Sequence, residues 1–350
     1  QLLGCPFCYP VWHPRDPQRV YAAYGYPSTL RLSRDGGRTF EPIGEGLPGG
    51  LRHLAIDAGR PDRMLAATET QSFRSDDAGL TWSPCGRTQA PILGLAFAGN
   101  AVGEPGGIGF LATAEGVYRS EDAGRSWTHA AGGLPLKRIQ AFAAAAAPGG
   151  PARLYLWLDE EKPDGSSSGE ILRSDDAGRT WRKMCDGPLY PARGYVHSPR
   201  YLLVAPVRPD TVYAVNPSLD PHHGVYRSDD GGAVWRPVFH ADRSDPAHNV
   251  ADNHISAYFI KNRNWTVTGA AICPSDPERV LVSDYCTPYL TRDGGRSWTN
   301  LDIRPAPGQG APAHGHRWIN NGLNVTTTWN YDIDPFDRNR HFISATDIGQ

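Results

Sequence analysis

The sequence predicts an all-β fold, a β-propeller of seven four-stranded blades with the seventh incomplete. Three observations carry this reading. One eight-residue pattern occurs six times, at steps of 42 to 63 residues. Two apolar runs separated by a turn precede each copy. No segment sustains a helical period over about a dozen residues. Units of this length built from four short strands are propeller blades.

The pattern is Ser/Thr-x-Asp-x-Gly-x-Ser/Thr-aromatic, here called the box. The first two copies are Ser33-Arg-Asp35-Gly-Gly37-Arg-Thr39-Phe40 and Ser75-Asp-Asp77-Ala-Gly79-Leu-Thr81-Trp82. The next two are Ser120-Glu-Asp122-Ala-Gly124-Arg-Ser126-Trp127 and Ser174-Asp-Asp176-Ala-Gly178-Arg-Thr180-Trp181. The last two are Ser228-Asp-Asp230-Gly-Gly232-Ala-Val234-Trp235 and Thr291-Arg-Asp293-Gly-Gly295-Arg-Ser297-Trp298. A carboxylate that accepts N–H bonds within its own turn, followed by a glycine free to take positive φ, closes a tight hairpin. The aromatic then opens the next strand and packs inward. Asp35, Asp77, Asp122, Asp176, Asp230 and Asp293 are therefore read as turn staples, not as catalysts or metal ligands. Their spacing lacks the alternating oxygen ligands of a calcium loop.

Upstream of the boxes lie pairs such as Val11-Trp12 with Val20-Tyr21, Val204-Ala205 with Val212-Tyr213, and Ala271-Ile272 with Val280-Leu281. The segments between them, Arg15-Asp16-Pro17, Arg208-Pro209-Asp210 and Asp276-Pro277, are turn signals. One strand before each box and one after it complete a blade with strands A to D. The blades fall at about 9–50, 51–90, 91–136, 137–199, 200–265 and 266–324, with 325–350 an incomplete seventh in a single propeller spanning 1–350. Within that last unit Val325 to Asp334 reads as strand A and His341 to Thr346 as strand B. A seventh box falls beyond Gln350 by the offset seen in blade six, so either the N-terminal segment completes the blade or the chain is a piece of a longer one, the reading favoured here. The alanines from Ala143 to Ala147 read as a small-residue strand beside the crowded channel.

Composition narrows the function. Thirty-five basic residues against 37 acidic ones, with a formal charge of −2, provide no field to gather nucleic acid. No run of 18 apolar residues exists to span a membrane. No glycine-rich phosphate loop leaves a strand and opens a helix, so no nucleotide cofactor is expected. The pairs His314 with His316 and His222 with His223 lack further partners, so no metal site is assigned. Cys5 and Cys8 form a C-x-x-C pair with no following histidine, which excludes covalent haem attachment.

Strand direction alternates along a blade, so the A–B turns and the boxes share one face while the B–C and D–A loops share the other. The irregular segments all fall on the second face. They include the D–A connections at about 185–199, 240–265 and 302–324 and a B–C loop at 159–165. Long loops on a rigid scaffold are where binding chemistry concentrates. Tyr195, Tyr258, Trp265, His314, His316, Arg317, Trp318 and Asn321 lie there, aromatic and polar groups suited to the apolar faces and hydroxyl edges of sugars. The ends of the B strands come nearest the channel on that face, at Tyr24, Glu69, Glu115, Asp159, Asn216, Asp284 and Asp347. Carboxylates there are of the type that serves as acid and base or nucleophile in glycoside hydrolysis.

The boxes make the chain resemble the Asp-box, or bacterial neuraminidase repeat, propellers of the sialidase-like superfamily. Thr328-Trp329-Asn330, Asp332-Ile333-Asp334-Pro335 and Ser344-Ala345-Thr346-Asp347-Ile348-Gly349 make it look, more narrowly, like the xyloglucan-cleaving two-propeller glycosidases. That resemblance implies a catalytic aspartate at Asp347, with Asp284 in the matching place one blade earlier. Gln350 replaces the second glycine of the family segment. The resemblance implies a secreted or cell-surface protein that binds or cleaves polysaccharide on the loop face, without a cofactor. The alternative is a non-catalytic propeller that meets another protein through the same face.

Overall fold

The structure is a computed structural model and describes residues 9–24, 28–98, 107–130, 134–135, 137–146, 152–161, 167–186, 201–216, 219, 224–242, 244–251, 267–284, 288–301, 303–310, 317–320, 327–333 and 341–346. Blade 1 comprises β1 (Tyr9–Trp12), β2 (Val20–Tyr24), β3 (Thr29–Ser33) and β4 (Glu41–Pro42). Blade 2 comprises β5 (His53–Ile56), β6 (Met64–Ala67), β7 (Gln71–Ser75) and β8 (Ser83–Arg87). Blade 3 comprises β9 (Ile92–Ala98), β10 (Ile108–Thr113), β11 (Gly116–Ser120) and β12 (Thr128–His129). Blade 4 comprises β13 (Arg138–Ala146), β14 (Ala152–Glu161), β15 (Ser167–Ser174) and β16 (Arg182–Asp186). Blade 5 comprises β17 (Tyr201–Ala205), β18 (Arg208–Val215), β19 (Val225–Ser228) and β20 (Arg236–Pro237). Blade 6 comprises β21 (Val267–Cys273), β22 (Asp276–Asp284), β23 (Pro288–Thr291) and β24 (Thr299–Asn300).

Each is an antiparallel meander in sequence order. The first strands, β1, β5, β9, β13, β17 and β21, neighbour one another in that order and form the inner ring. Among the described residues there are six four-stranded blades, not the seven expected. Where the seventh was placed, β27 (Thr327–Ile333) pairs only with β28 (His341–Thr346), with Thr327 opposite Thr346 and Ile333 opposite His341. These are the A and B strands read from the sequence, and the box expected after them was placed beyond Gln350. Two further elements went unforeseen. β25 (Ile303–Pro305) and β26 (Trp318–Asn320) pair within the segment expected to be a plain D–A loop. The B–C loop expected at 159–165 is shorter than that, because the ladder continues to Glu161 opposite Ser167.

The core lies between blades. One cluster joins Tyr155, Trp157 and Ile171 of blade 4 to Leu202, Val212 and Tyr226 of blade 5. Similar clusters join blades 3 and 4 around Leu154 and Phe110, blades 5 and 6 around Phe239 and Trp298, and blades 1 and 2 around Tyr21 and Trp82. A second strand clamped between two neighbouring sheets has no wet side, which is why Met64–Ala67 is buried at every position. The alanine-rich β13 alternates buried and half-buried residues, as a strand near the narrow centre must.

Candidate functional site

The boxes are built alike, and the turns of each hold one geometry. In the fourth, the Ser174 hydroxyl donates to Asp176 Oδ1 at 2.8 Å and accepts from the Gly178 N–H at 2.8 Å. The Thr180 N–H and hydroxyl donate to Oδ1 and Oδ2 of the same carboxylate at 2.9 and 2.6 Å. Burial raises the pKa of Asp176, but these hydrogen bonds outweigh it and hold the group at about 2. Asp122 stands at about 2 for the same balance of causes. Carboxylates held this far into the anionic form are poor proton donors near neutrality, which fits staples rather than general acids.

Both residues after the box aspartate sit at positive φ, the second always glycine, from Gly37 at 92° to Gly295 at 88°. A Cβ on Gly295 would lie 2.6 Å from Val238 Cβ, so the box also needs its glycine to approach the neighbouring chain. The first of the two is alanine in three boxes, Ala78, Ala123 and Ala177, at φ of 59 to 60°. The N–H of that first residue reaches the A–B turn: Ala78 to Asp62 at 2.8 Å, Gly231 to Asp210 at 2.9 Å and Gly294 to Glu278 at 2.9 Å. The boxes and A–B turns therefore share a face, as strand alternation requires.

That face also ties blade to blade, a feature the sequence reading missed. The arginine just before a box serine crosses to the next blade's box. Arg74 donates to the Asp122 carbonyl at 3.2 Å, Arg173 to Gly231 at 3.2 Å and Arg227 to Gly294 at 3.2 Å. Second-strand tyrosines also cross to the next blade, with the Tyr213 hydroxyl on the Pro277 carbonyl at the start of β22 at 2.9 Å and that of Tyr21 on the box residue Ala78 at 3.1 Å. The recurring Arg-Ser pair ahead of four boxes was the available signal.

The opposite face carries a groove of about 740 Å³. Gln89, Ala90 and Pro91 enter it from the connection between blades 2 and 3, and Ala114 and Glu115 from the β10–β11 turn. His129 closes β12, while Leu134, Pro135, Lys137 and Arg138 come from the entry to blade 4. All are B–C or D–A positions or the strand residues beside them. The walls are held by backbone bonds, Ile92 N–H to Glu69 at 2.7 Å and Ile139 N–H to Ala114 at 2.9 Å. The His129 ring lies edge-on to Tyr118 with centroids 5.1 Å apart. It also covers Gly116, where an added Cβ would come within 2.2 Å of Nε2. Lys137 reaches the buried Glu170 carboxylate at 3.4 Å, and Lys183 meets the same carboxylate at 2.9 Å. Nearby, His53 Nε2 is 3.0 Å from the Ile92 carbonyl, and burial pushes the imidazole pKa down.

Of the residues singled out for substrate or catalysis, Asp347, Trp265, Tyr258, Tyr195, His314, His316 and Asn321 lie outside the described residues. Asp284 ends β22 opposite Val267, so it does stand at the loop-face end of a second strand. Arg317 is exposed, and its carbonyl accepts from the Ala306 N–H at 3.0 Å. Trp318 follows it as the first residue of β26, opposite Pro305. Of the described carboxylates at the second-strand ends, Glu115 alone lines the groove; His129, Lys137 and Arg138 were passed over because they border short connections rather than long ones. Among the described residues, no three His, Cys, Asp or Glu side chains gather to hold a metal ion, and Cys85 and Cys273 are free thiols. No helix among them is long and apolar enough to cross a membrane.

No family model matches the chain. A xyloglucanase of Paenibacillus sp is 26% identical over 344 residues, covering 83% of this chain and 33% of that protein. Among solved structures, the GH74 xyloglucanase from Xanthomonas campestris superposes with a TM-score of 0.64 at 22% identity, over 99% of this chain and 52% of that one. YCF48 from Cyanidioschyzon merolae superposes with a TM-score of 0.54 at 13% identity, over 99% of this chain and 95% of its own. The chain spans 33% to 44% of the length of the curated xyloglucanases it matches. The fold it shares with these proteins is the β-propeller.

Proposed function

We propose that this chain is a glycoside-hydrolase propeller that binds xyloglucan or a related β-glucan on the face opposite the boxes and contributes to its cleavage, outside the cell or at its surface. The observation that carries the reading is the likeness to xyloglucanases over four-fifths of the chain, together with a groove on the irregular face. Glycoside hydrolysis needs one carboxyl group to protonate the leaving oxygen and a second to activate water or attack the sugar. Asp347, in its Asp-Ile-Gly segment, is assigned one of these roles. Asp284, at the equivalent strand end one blade earlier, is the candidate for the other within this chain. Trp265, Tyr258, Tyr195 and Trp318 would lie against sugar faces, with His314, His316, Arg317 and Asn321 on hydroxyls.

The test is release of reducing ends from xyloglucan and a panel of β-glucans by the protein extended to its natural ends. Asp347→Asn is expected to lower the rate by about 10²- to 10⁴-fold, the range for loss of a general acid or base, with binding retained. Asp284→Asn should do less, because Tyr285 and Cys286 do not continue the family segment. Absence of hydrolysis across the whole panel would overturn the enzyme reading and leave the loop face as a protein-binding surface.

A further inference from the structure

The groove shared by blades 2, 3 and 4 has a chemical character of its own. Its volume of about 740 Å³ is that of a small-ligand cleft, since such clefts run from about 300 to 1,000 Å³. Two proline rings, Pro91 and Pro135, and the His129 imidazole offer flat, weakly polar surfaces. The charges left at the rim balance. Lys137 is already turned to the buried Glu170, which Lys183 also meets. Glu115 and Arg138, one of each sign, are exposed and make no ion pair with another described residue. A phosphate or a uronate chain would meet the Glu115 carboxylate, so the balance favours a neutral ligand rich in hydroxyls.

We propose that this groove is a glycan subsite for an uncharged pyranose segment. Pro91, Pro135 and His129 take the C–H face of a sugar, while Glu115 accepts from its hydroxyls and Arg138 donates to them. The proposal deepens the hydrolase reading and rests on it for the identity of the glycan. The subsite itself depends on His129 holding its place over Gly116. No positive φ is required at that glycine, and the atom a Cβ would meet is the far end of the histidine. Alanine there should displace the imidazole and leave the β10–β11 turn intact.

The experiment is calorimetric titration of the natural-length protein with xylogluco-oligosaccharides, and separately with oligogalacturonides, alongside hydrolysis of polymeric xyloglucan. The variants are Arg138→Ala, Glu115→Gln and Gly116→Ala, each checked for an unchanged melting temperature. We expect the wild type to bind the neutral oligosaccharide and prefer it to the acidic one. Each variant should weaken that binding by about tenfold, Arg138→Ala and Glu115→Gln through one lost polar contact and Gly116→Ala through loss of the His129 face, and raise KM more than it lowers kcat. Three results overturn the subsite: no neutral binding by the wild type, preference for the oligogalacturonide, or folded variants that bind as the wild type does. Hydrolysis by the wild type and unchanged binding in every variant sinks the groove alone. Variant-sensitive binding without any hydrolysis sinks the enzyme reading and keeps the groove.

Discussion

The two faces of this propeller follow different rules. On the box face, six turns repeat the same hydrogen bonds almost atom for atom, and arginine and tyrosine side chains carry them across blade boundaries. On the loop face, connections range from the two-residue turn at Ala114 and Glu115 to a segment that folds its own hairpin, β25–β26. Repetition on one face means that each position there serves a mechanical need common to every blade. Irregularity on the other is the setting in which binding residues concentrate on a rigid scaffold. On the proposed function, stability and recognition are set on opposite ends of the same strands. This separation predicts that substitutions on the two faces will fail in different assays.

The largest effect should come from Arg227. Its guanidinium is buried and donates to the Tyr213 hydroxyl at 3.0 Å, to Glu278 at 2.6 and 2.9 Å, and to Asp229 at 2.8 Å. Burial alone would lower its pKa, but the hydrogen bonds to Glu278 and Asp229 outweigh that and raise it. Arg227→Ala leaves Glu278 without its main partner at a blade interface. A loss of about 3 kcal/mol in denaturant unfolding is expected. Arg227→Met, which keeps most of the stem, should recover part of it through packing alone. If both variants melt like the wild type, the box face does not hold the blades together as described.

Asp176→Ala is next, at about 2 kcal/mol, because it leaves the Arg179 and Thr180 N–H groups and two hydroxyls without their acceptor. The pH dependence has a definite sign. Asp176 titrates at about 2 when folded, below the ordinary aspartate value of 3.8. Its stabilisation is therefore complete above pH 3.8 and disappears as pH falls toward 2. Asp176→Asn should be less stable than the wild type at pH 7, and the gap should close below pH 2. Glycan binding by the folded variant should match the wild type. A stable Asp176→Ala protein that had lost binding would place function on the wrong face.

The box face was legible in the sequence because a tight turn depends on few neighbours. Serine, aspartate and glycine at fixed offsets determine its bonds locally, so six copies could be read as one structure. Its cross-blade ties were not, since the partner of Arg173 lies at Gly231, 58 residues on. Nothing in the spacing tells which carbonyl a guanidinium reaches. The strands β27 and β28 were read correctly from apolar runs, but counting them as an incomplete seventh blade overdrew the count, since six four-stranded blades stand among the described residues. The groove was hidden for a different reason. Gln89, Glu115, His129 and Arg138 border three separate connections, and only the packing of adjacent blades brings them to one surface. The search for a site followed loop length, whereas this groove is walled by short connections.

The smallest effect is also the sharpest test of how the box works. In five boxes a hydroxyl donates to the outer carboxylate oxygen, at 2.6 Å from Thr39, 2.5 Å from Ser126, 2.6 Å from Thr180 and 2.6 Å from Ser297, with Thr81 placed the same way. The fifth box has Val234 there, 70% exposed. Its N–H still reaches Asp230 Oδ1 at 3.0 Å, so the backbone of the turn is already in place. Val234→Thr adds only a hydroxyl to a preformed turn and removes an exposed methyl group. The gain should be about 0.5–1 kcal/mol, the net worth of one hydrogen bond in a partly wet setting. The Asp230 pKa, already lowered by its backbone and Ser228 bonds against the effect of burial, should fall further in a carboxylate NMR titration. Thr180→Val should show the mirror change in blade 4. If neither swap moves stability or the aspartate titration, the second hydroxyl of the box is dispensable. The turn would then rest on Ser174 and its counterparts, whose oxygens both donate to the aspartate and accept from the glycine.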